Sequence, residues 1–168
     1  RQRQGRYEQG KYHGIGIACY VKNTGRGPFE CARVEVRSGN SIAVYIGLAS
    51  LGQGHETTMA QICADTLGVP IEQITVFHGN TDFLPFGGGT NASRGTVMGG
   101  NAVYLAAQEV KRKVLTIAGS YLGVAPSDLE LRDGQVHGKG AETEKPLLSL
   151  EDVVPLAAPT SRYNPLEP

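Results

Sequence analysis

The fold is decided by the stretch Gly52-Gln53-Gly54-His55-Glu56-Thr57-Thr58-Met59-Ala60-Gln61, which joins an apolar segment at 42–48 to an amphipathic segment ending near Leu67. The pattern predicts a strand, a glycine turn and a helix. Gly52 and Gly54 allow a sharp turn and the close approach of a ligand. Because the first N–H groups of a helix lack internal acceptors and the helix dipole favours an anion, the turn is a candidate anion site.

Side-chain donors stand at the same turn. Gln53, His55 and Thr57 each add a hydrogen-bond donor beside the predicted helix start. These residues indicate a site for a phosphate or another anionic, oxygen-rich group. A Gly-x-Gly turn between a strand and a helix also occurs for purely structural reasons, so this motif alone leaves both interpretations open.

A second glycine-rich loop has the same arrangement. The residues Gly87-Gly88-Gly89-Thr90-Asn91-Ala92-Ser93-Arg94-Gly95-Thr96 follow a strand predicted at 74–78 and precede a helix predicted at 99–118. An arginine in a Gly/Ser/Thr loop suits a phosphate, and its alternative role is a surface salt bridge. We expect both loops to lie at the same end of one domain, where the two helix N-termini address a single ligand.

The order of elements indicates an α+β fold. Alternation predicts strands at 14–20, 31–37, 42–48 and 72–78, with a small hairpin at Asp133-Gly134. Apolar stripes predict helices at 55–67 and 99–118, and residues 149–152 resemble a capping box. We therefore expect an antiparallel or mixed sheet packed against two main helices, with Gly-rich loops at the helix N-termini.

Composition limits the classes of partner. The 168 residues carry 16 basic and 16 acidic side chains, and this balance gives no support to nucleic acid or a membrane surface as the main partner. No apolar run reaches membrane-spanning length. Cys19, Cys31 and Cys63 lie in apolar patterns without the spacing of a disulfide framework or a zinc site. We expect buried free thiols and a cytoplasmic location.

Two polar pairs are weaker candidates for acid–base chemistry. His55 and Glu56 are adjacent on a helix and cannot point the same way, so a loop donor and a solvated acid are the simpler interpretation. His78 and Asp82 form a candidate pair near the second loop, although a satisfied loop histidine is again simpler. The sequence holds no metal-ligand spacing, no Ser-x-x-Lys or Gly-x-Ser-x-Gly nucleophile and no Gly-Lys-Ser/Thr phosphate loop.

Four motifs together resemble the molybdenum hydroxylases, the family of xanthine dehydrogenase, aldehyde oxidase and aerobic carbon monoxide dehydrogenase. The matching residues are Gly52-Gln53-Gly54-His55-Glu56-Thr57, Gly79-Asn80-Thr81-Asp82, Gly89-Thr90-Asn91-Ala92-Ser93-Arg94-Gly95-Thr96 and Gly100-Asn101-Ala102-Val103. The flanking strands extend the resemblance to about residues 14–136. The histidine after Gly-Gln-Gly and the Ala-Ser-Arg sequence are similar to the bacterial branch.

The resemblance implies a molybdopterin-binding domain of a large subunit. It implies cofactor-binding roles for Gly52, Gln53, Gly54, His55, Ala92, Ser93, Arg94, Gly95 and Thr96. Gln53 is expected near the metal, and the loop 92–96 is expected to hold pterin and phosphate largely through backbone N–H groups. The implied cofactor is molybdopterin with molybdenum, as molybdopterin cytosine dinucleotide in bacteria, whose pyrophosphate suits two helix N-termini. The cofactor itself holds the metal, so no protein metal ligand is expected.

The resemblance also implies an oxidoreductase assembly. Its reaction hydroxylates an aldehyde, a purine or an N-heterocycle, or oxidises carbon monoxide, with water as the oxygen source. The expected partners are the remainder of the large subunit and domains or subunits carrying 2Fe-2S clusters and FAD, in an oligomer. The family's catalytic glutamate follows a glycine, and no Gly-Glu pair occurs here. The chain is therefore expected to be inactive alone, and the alternative is a non-catalytic scaffold of the same fold without cofactor.

The two ends differ from the middle of the chain. Residues 1–13 are polar and are interpreted as a connecting arm, residues 14–158 as the molybdopterin-binding domain and residues 159–168 as a Pro-rich tail or linker. Such ends are typical of a piece of a longer protein. A piece of this kind is expected to present a Gly-rich cleft and apolar surface to solvent.

Overall fold

The computed structural model describes residues 6–140 and 145–166. Its strands are β1 (Arg6–Glu8), β2 (Lys11–His13), β3 (Ala32–Arg37), β4 (Ser41–Ile46), β5 (Ile74–His78), β6 (Leu129–Arg132), β7 (Gln135–Gly138) and β8 (Leu148–Ser149). Its helices are α1 (His55–Leu67), α2 (Asn101–Leu122) and α3 (Leu150–Leu156). A π-helical segment at Gly95–Gly100 leads directly into α2. Short 3₁₀ turns precede β5 and β6, at Ile71–Gln73 and Pro126–Asp128.

The central sheet has the strand order β3–β4–β5. Strands β3 and β4 form an antiparallel hairpin, with Val34 opposite Val44, and β5 lies parallel to β4, with Val76 opposite Val44. A parallel pair needs a crossover connection, and α1 supplies it. Helix α2 packs against α1 and β3. This mixed sheet on two main helices confirms the predicted α+β fold.

The core forms between the central sheet and the two main helices. Strand β4 is buried from Ile42 to Ile46 because it lies between two other strands and is covered on both faces. The stripe predicted for α1 is confirmed, since Met59, Cys63 and Leu67 are fully buried. Burying several side chains of this size contributes roughly 1.5–3 kcal/mol each to stability.

Glycines in the left-handed conformation end both main helices. Helix α1 ends at Leu67 as predicted, with Gly68 at φ 66° donating its N–H to the carbonyl of Ala64. Helix α2 continues past its predicted end at residue 118 and stops at Gly123, φ 72°. The left-handed glycine determines this end, because the backbone can close there without strain. Among the described residues no helix, the 22-residue α2 included, has the apolar length needed to cross a membrane.

The segment 14–20 is not a strand, contrary to the prediction from its alternation. Its apolar side chains face solvent, with Ile15 86% and Ile17 89% exposed. Alternation produces a strand only where a neighbouring strand and a covering layer are available. Neither is available to this segment within the described residues. The exposed side chains confirm the expectation of apolar surface open to solvent.

A smaller sheet of order β6–β7–β8 lies beside α2. Its first two strands confirm the hairpin predicted at Asp133-Gly134. Residues 6–13 of the predicted arm form the hairpin β1–β2, whereas residues 1–5 lie outside the described part. In the predicted tail, Tyr163 packs edge-on against Tyr121 with the ring centroids 5.0 Å apart, and residues 167–168 lie outside the described part.

The three cysteines are free thiols with different exposure. Cys63 is buried, Cys31 is half-buried and Cys19 is exposed. The expectation of a buried thiol is therefore wrong for Cys19, because the segment that carries it packs against no layer of the described chain. Burial raises the pKa of the Cys63 thiol to about 12, which keeps that side chain protonated at physiological pH.

Candidate functional site

The two glycine-rich loops meet at one cleft, as predicted. The cleft has a volume of about 380 Å³ and is lined by Gln53, His55, Thr58, Thr90, Asn91, Ser93, Arg94, Gly95 and Thr96. Gly52 and Gly54 form the turn beneath this cleft, with φ of 100° and 72°. Ala92 lines a separate cavity together with residues 20–24 and Arg26. Thr58 lines the cleft in place of the expected Thr57.

The starts of two helices lie at this cleft without a capping side chain. Gly54 is the N-cap of α1 and Arg94 is the N-cap of the π-helical segment, and neither start has a side-chain cap among the described residues. The hydroxyl of Thr58 donates to the carbonyl of Gly54 at 3.1 Å, so it offers no acceptor to the N–H groups of the first turn. Uncapped N–H groups and the positive ends of two helix dipoles make the cleft favourable for an anion.

The backbone before the second helix start is strained. Ala92 and Ser93 both have positive φ, at 47° and 51°, although neither is a glycine. Left-handed backbone costs roughly 1–2 kcal/mol for each L-residue that carries a Cβ. Strain of this kind concentrates at ligand-binding loops, where the backbone must present its N–H groups in one direction. Sequence reasoning found the loop but not its conformation.

Gln53 and His55 form a linked pair at the mouth of the cleft. The Gln53 Oε1 accepts the N–H of Leu51 at 2.6 Å, which fixes the amide so that its Nε2 faces the His55 Nε2 at 3.2 Å. An amide donor there makes this ring nitrogen the acceptor and puts the imidazole proton on Nδ1. The His55 Nδ1 is buried and has no hydrogen-bond partner in the described part of the chain.

Gly95 packs directly on the His55 ring. A Cβ at position 95 would lie 2.5 Å from the His55 Nε2, so a side chain there would fill the narrow part of the cleft. Glycine is needed at position 95 because of this close contact and not because of its φ angle. The cleft is thus shaped by the absence of a side chain between its two loops.

The Arg94 side chain points into the protein. It is 3% exposed, and its Nη2 lies 3.3 Å from the carboxylate of Glu30, whose side chain is 0% exposed. Both interpretations from the sequence placed this guanidinium at the surface, on a phosphate or in a surface salt bridge. The guanidinium is instead buried against Glu30, although Arg94 is among the residues that line the cleft. Sequence reasoning missed Glu30, whose signal was a lone acid directly before an apolar strand.

A second polar cluster lies outside the cleft. The His78 Nε2 lies 2.7 Å from the Glu56 carboxylate, and the Ser50 hydroxyl donates to the same carboxylate at 3.0 Å. His78 therefore pairs with Glu56 and not with the weaker candidate Asp82, because β5 places it beside the first turn of α1, and the simpler interpretation of a satisfied histidine applies. Hydrogen bonds from its own backbone N–H, from His78 and from Ser50 lower the pKa of Glu56 to about 2.

The residues at the cleft fit a phosphate-bearing cofactor. The donors are backbone N–H groups, hydroxyls, an amide and an imidazole, and the buried Nδ1 of His55 lacks a partner in the described part of the chain. Among the described residues no group of three or more His, Cys, Asp or Glu side chains is placed to hold a metal ion.

Comparison with known proteins agrees with this chemistry. Residues 1–164 match the family model of the molybdopterin cofactor-binding domain. The chain belongs to this family, which confirms the resemblance seen at the two loops.

Two relatives are the large subunit or large chain of an enzyme. The nicotine 6-hydroxylase large subunit of Paenarthrobacter nicotinovorans is 35% identical over 86% of this chain and 19% of its own length. The carbon monoxide dehydrogenase large chain of Afipia carboxidovorans is 40% identical over 70% of this chain and 16% of its own length. The chain thus spans less than a fifth of the length of these relatives.

Solved structures show the same fold. Carbon monoxide dehydrogenase from Oligotropha carboxidovorans superposes with a TM-score of 0.70 at 37% identity, over 83% of this chain and 17% of that one. Quinoline 2-oxidoreductase from Pseudomonas putida 86 gives a TM-score of 0.62 at 41% identity, over 66% of this chain and 14% of that one.

Proposed function

We propose that this chain is the part of a molybdenum hydroxylase large subunit that holds the molybdopterin cofactor. The observation that carries the proposal is the pair of uncapped helix starts at one cleft, at Gly54 and Arg94. The whole enzyme is an oxidoreductase that hydroxylates an aldehyde, a purine or an N-heterocycle, or oxidises carbon monoxide, with water as the oxygen source. The activities for which the relatives are named, nicotine 6-hydroxylase and carbon monoxide dehydrogenase, fall within this range.

The cofactor proposed is molybdopterin cytosine dinucleotide. Its pyrophosphate suits the backbone N–H groups of Ser93, Gly95 and Thr96 at the second helix start, because an anion there completes the unpaired helix donors. Gly52 and Gly54 let the first loop approach the cofactor closely. Ala92 is one of the left-handed residues of the strained second loop. When bound, molybdenum supplies the two-electron redox chemistry.

Gln53 and His55 are proposed to face the metal end of the cofactor. The Gln53 amide is held from behind by the N–H of Leu51, so its remaining N–H is already oriented. A preorganised donor contributes most where charge develops during the reaction. His55 supports this amide through its Nε2.

The remaining parts of the enzyme are proposed to lie elsewhere. The catalytic glutamate, the other cofactor loops and the partners carrying 2Fe-2S and FAD complete the assembly in the cytoplasm. This chain alone is therefore proposed to be inactive. The competing proposal is a non-catalytic scaffold, which the uncapped and strained loops disfavour, since a scaffold without ligand has no use for either feature.

The test uses the assembled enzyme with Gln53→Ala. Because a hydrogen bond to a charged group contributes roughly 1.5–3 kcal/mol, turnover per molybdenum should fall by about tenfold to a hundredfold while molybdenum and cytidine content stay unchanged. Gln61→Ala, at an exposed position of α1, is the matched control and should leave both unchanged. An assembled wild-type enzyme without molybdenum would support the scaffold, and full turnover in Gln53→Ala would remove that residue from the site.

A further inference from the structure

The buried carboxylate of Glu30 joins three separate parts of the chain. Its Oε2 lies 3.3 Å from the Arg94 Nη2. The N–H of Gly88 donates to both carboxylate oxygens, at 3.2 and 3.1 Å, and the N–H of Cys31 donates at 3.1 Å. These bonds tie the start of β3 to the glycine loop and to the residue that begins the π-helical segment.

Backbone encloses the guanidinium on its other sides. The Arg94 Nη2 also donates to the carbonyl of Phe29 at 2.5 Å. A Cβ at Gly88 would lie 1.7 Å from the Arg94 Nη1, and a Cβ at Gly27 would lie 3.4 Å from its Cζ. Glycine is therefore required at position 88, because a side chain there would overlap the Arg94 guanidinium. The surrounding backbone holds the guanidinium in one position.

Stability alone is a weak reason for such a pair. Removing two charges from water offsets most of their attraction, and apolar replacements of buried pairs are often as stable. The location suggests another role, because the backbone of Arg94 lies between the strained Ser93 and Gly95 of the cleft. Because buried contacts fix the Arg94 side chain, the loop keeps one orientation. In that orientation its N–H groups face the cleft.

We infer that the Glu30–Arg94 pair positions the cofactor loop 92–96, and that Glu30 is a positioning residue of the site. This inference rests on the proposed function. The pair touches no ligand. It keeps Ala92 and Ser93 in their left-handed conformations and keeps the first N–H groups of the π-helical segment turned to the cleft. Without the pair the loop relaxes, and the N–H groups no longer converge on one anion.

The experiment separates positioning from folding with a double variant in the assembled enzyme. Glu30→Gln leaves Arg94 buried without its counter-charge, so both the unfolding temperature and the cofactor retention should fall. Glu30→Gln combined with Arg94→Met removes both charges at similar volume and should restore the unfolding temperature. The readouts are the unfolding temperature, and the rate at which molybdenum and cytidine nucleotide leave the protein during dialysis.

The double variant gives the decisive result. We expect it to unfold near the wild-type temperature but to lose molybdenum about tenfold faster, because a relaxed loop keeps fewer aligned hydrogen bonds. Wild-type retention in the double variant would overturn the positioning role while leaving the proposed function intact. A wild-type enzyme that holds no molybdenum would overturn the proposed function itself.

Two further variants keep the result interpretable. Glu35→Gln is the matched control, since Glu35 lies in β3 and pairs at the surface with Arg33 and Arg37 at 3.2 and 3.1 Å. It should leave molybdenum retention unchanged. If the double variant does not fold, Glu30→Asp retains the charge but shortens the reach to Gly88 by one methylene. Faster molybdenum loss from Glu30→Asp supports positioning, and an unchanged rate overturns it.

Discussion

The first N–H groups of a helix have no acceptor inside it. The start of α3 and the starts of the helices at the cleft differ in whether a side chain supplies that acceptor. At α3, the Ser149 hydroxyl accepts the N–H of Asp152 at 3.1 Å, and the Asp152 carboxylate accepts the N–H of Ser149 at 2.8 Å. The Ser149 hydroxyl also donates to the Asp152 carboxylate at 2.7 Å, and this bond and the one from the Ser149 N–H lower the pKa of Asp152. The cap residues at the cleft, Gly54 and Arg94, offer no side-chain acceptor to the described helix starts.

The difference separates a structural end from a binding end. A capping side chain contributes about 1 kcal/mol to stability, and the chain uses one where a helix starts away from the cleft. At the cleft it has instead a glycine and a buried arginine, with two strained residues beside them. The helix starts at the cleft lack the stabilisation that a capping side chain gives. An anionic ligand can supply it, because its oxygens can accept the uncapped N–H groups.

The largest effect is expected from Gly95→Ala, which places a side chain in the narrow part of the cleft. The new Cβ would lie 2.5 Å from the His55 Nε2, so the buried ring must shift. Overpacking of this kind costs roughly 1–3 kcal/mol. We expect a lower free energy of unfolding by denaturant and a large loss of molybdenum from the assembled enzyme.

Gly138→Ala is the matched control for that substitution. A Cβ at position 138 meets no described atom within 4 Å, and the backbone there is not left-handed. Its free energy of unfolding should stay within about 0.5 kcal/mol of wild type, as for most surface substitutions. If both glycine variants retain the same molybdenum content, the narrow contact at Gly95 does not shape the site.

A smaller effect, confined to stability, is expected at the start of α3. Ser149→Ala removes the acceptor of the capping box and should lower the free energy of unfolding by about 1 kcal/mol. Molybdenum content and its loss during dialysis should not change, because α3 lies away from the cleft residues. A change in molybdenum retention would mean that the two kinds of helix start are coupled, and the distinction between them would fail.

Sequence alone predicted the features that are encoded locally. The helix 55–67, its stop at Gly68, the hairpin at Asp133-Gly134 and the capping box at Ser149 each depend on residues within one or two turns. The two loops were also found from sequence, because glycines between a strand and a helix are a local signal. Their meeting at one cleft followed from packing the two strand–loop–helix units side by side.

Features that depend on distant partners were missed. Glu30 meets Arg94 across 64 positions of sequence, and Glu56 meets His78 across 22, so neither pair leaves a periodic signal. Segment 14–20 has a strand pattern, yet a strand also requires a neighbour to supply its hydrogen bonds. The left-handed Ala92 and Ser93 were missed because residues with a Cβ rarely adopt that conformation.

The smallest effect concerns the acid beside the open start of α1. Glu56 lies in the first turn, where its carboxylate is held by its own N–H, by His78 and by Ser50, and these bonds lower its pKa from the ordinary 4.5 to about 2. A carboxyl whose pKa is lower in the folded state stabilises the protein above its unfolded pKa, and this contribution disappears as the pH falls towards the folded value. The unfolding-temperature difference between wild type and Glu56→Gln should therefore be full above about pH 4.5 and shrink towards pH 2. Ser50→Ala removes one of the weaker hydrogen bonds to the Glu56 carboxylate. The unfolding-temperature difference between wild type and this variant should show the same pH dependence with a smaller amplitude. Thermal unfolding at stepped pH checks this, and a difference that is constant over the whole range would show that the hydrogen bonds to the Glu56 carboxylate do not stabilise the folded state.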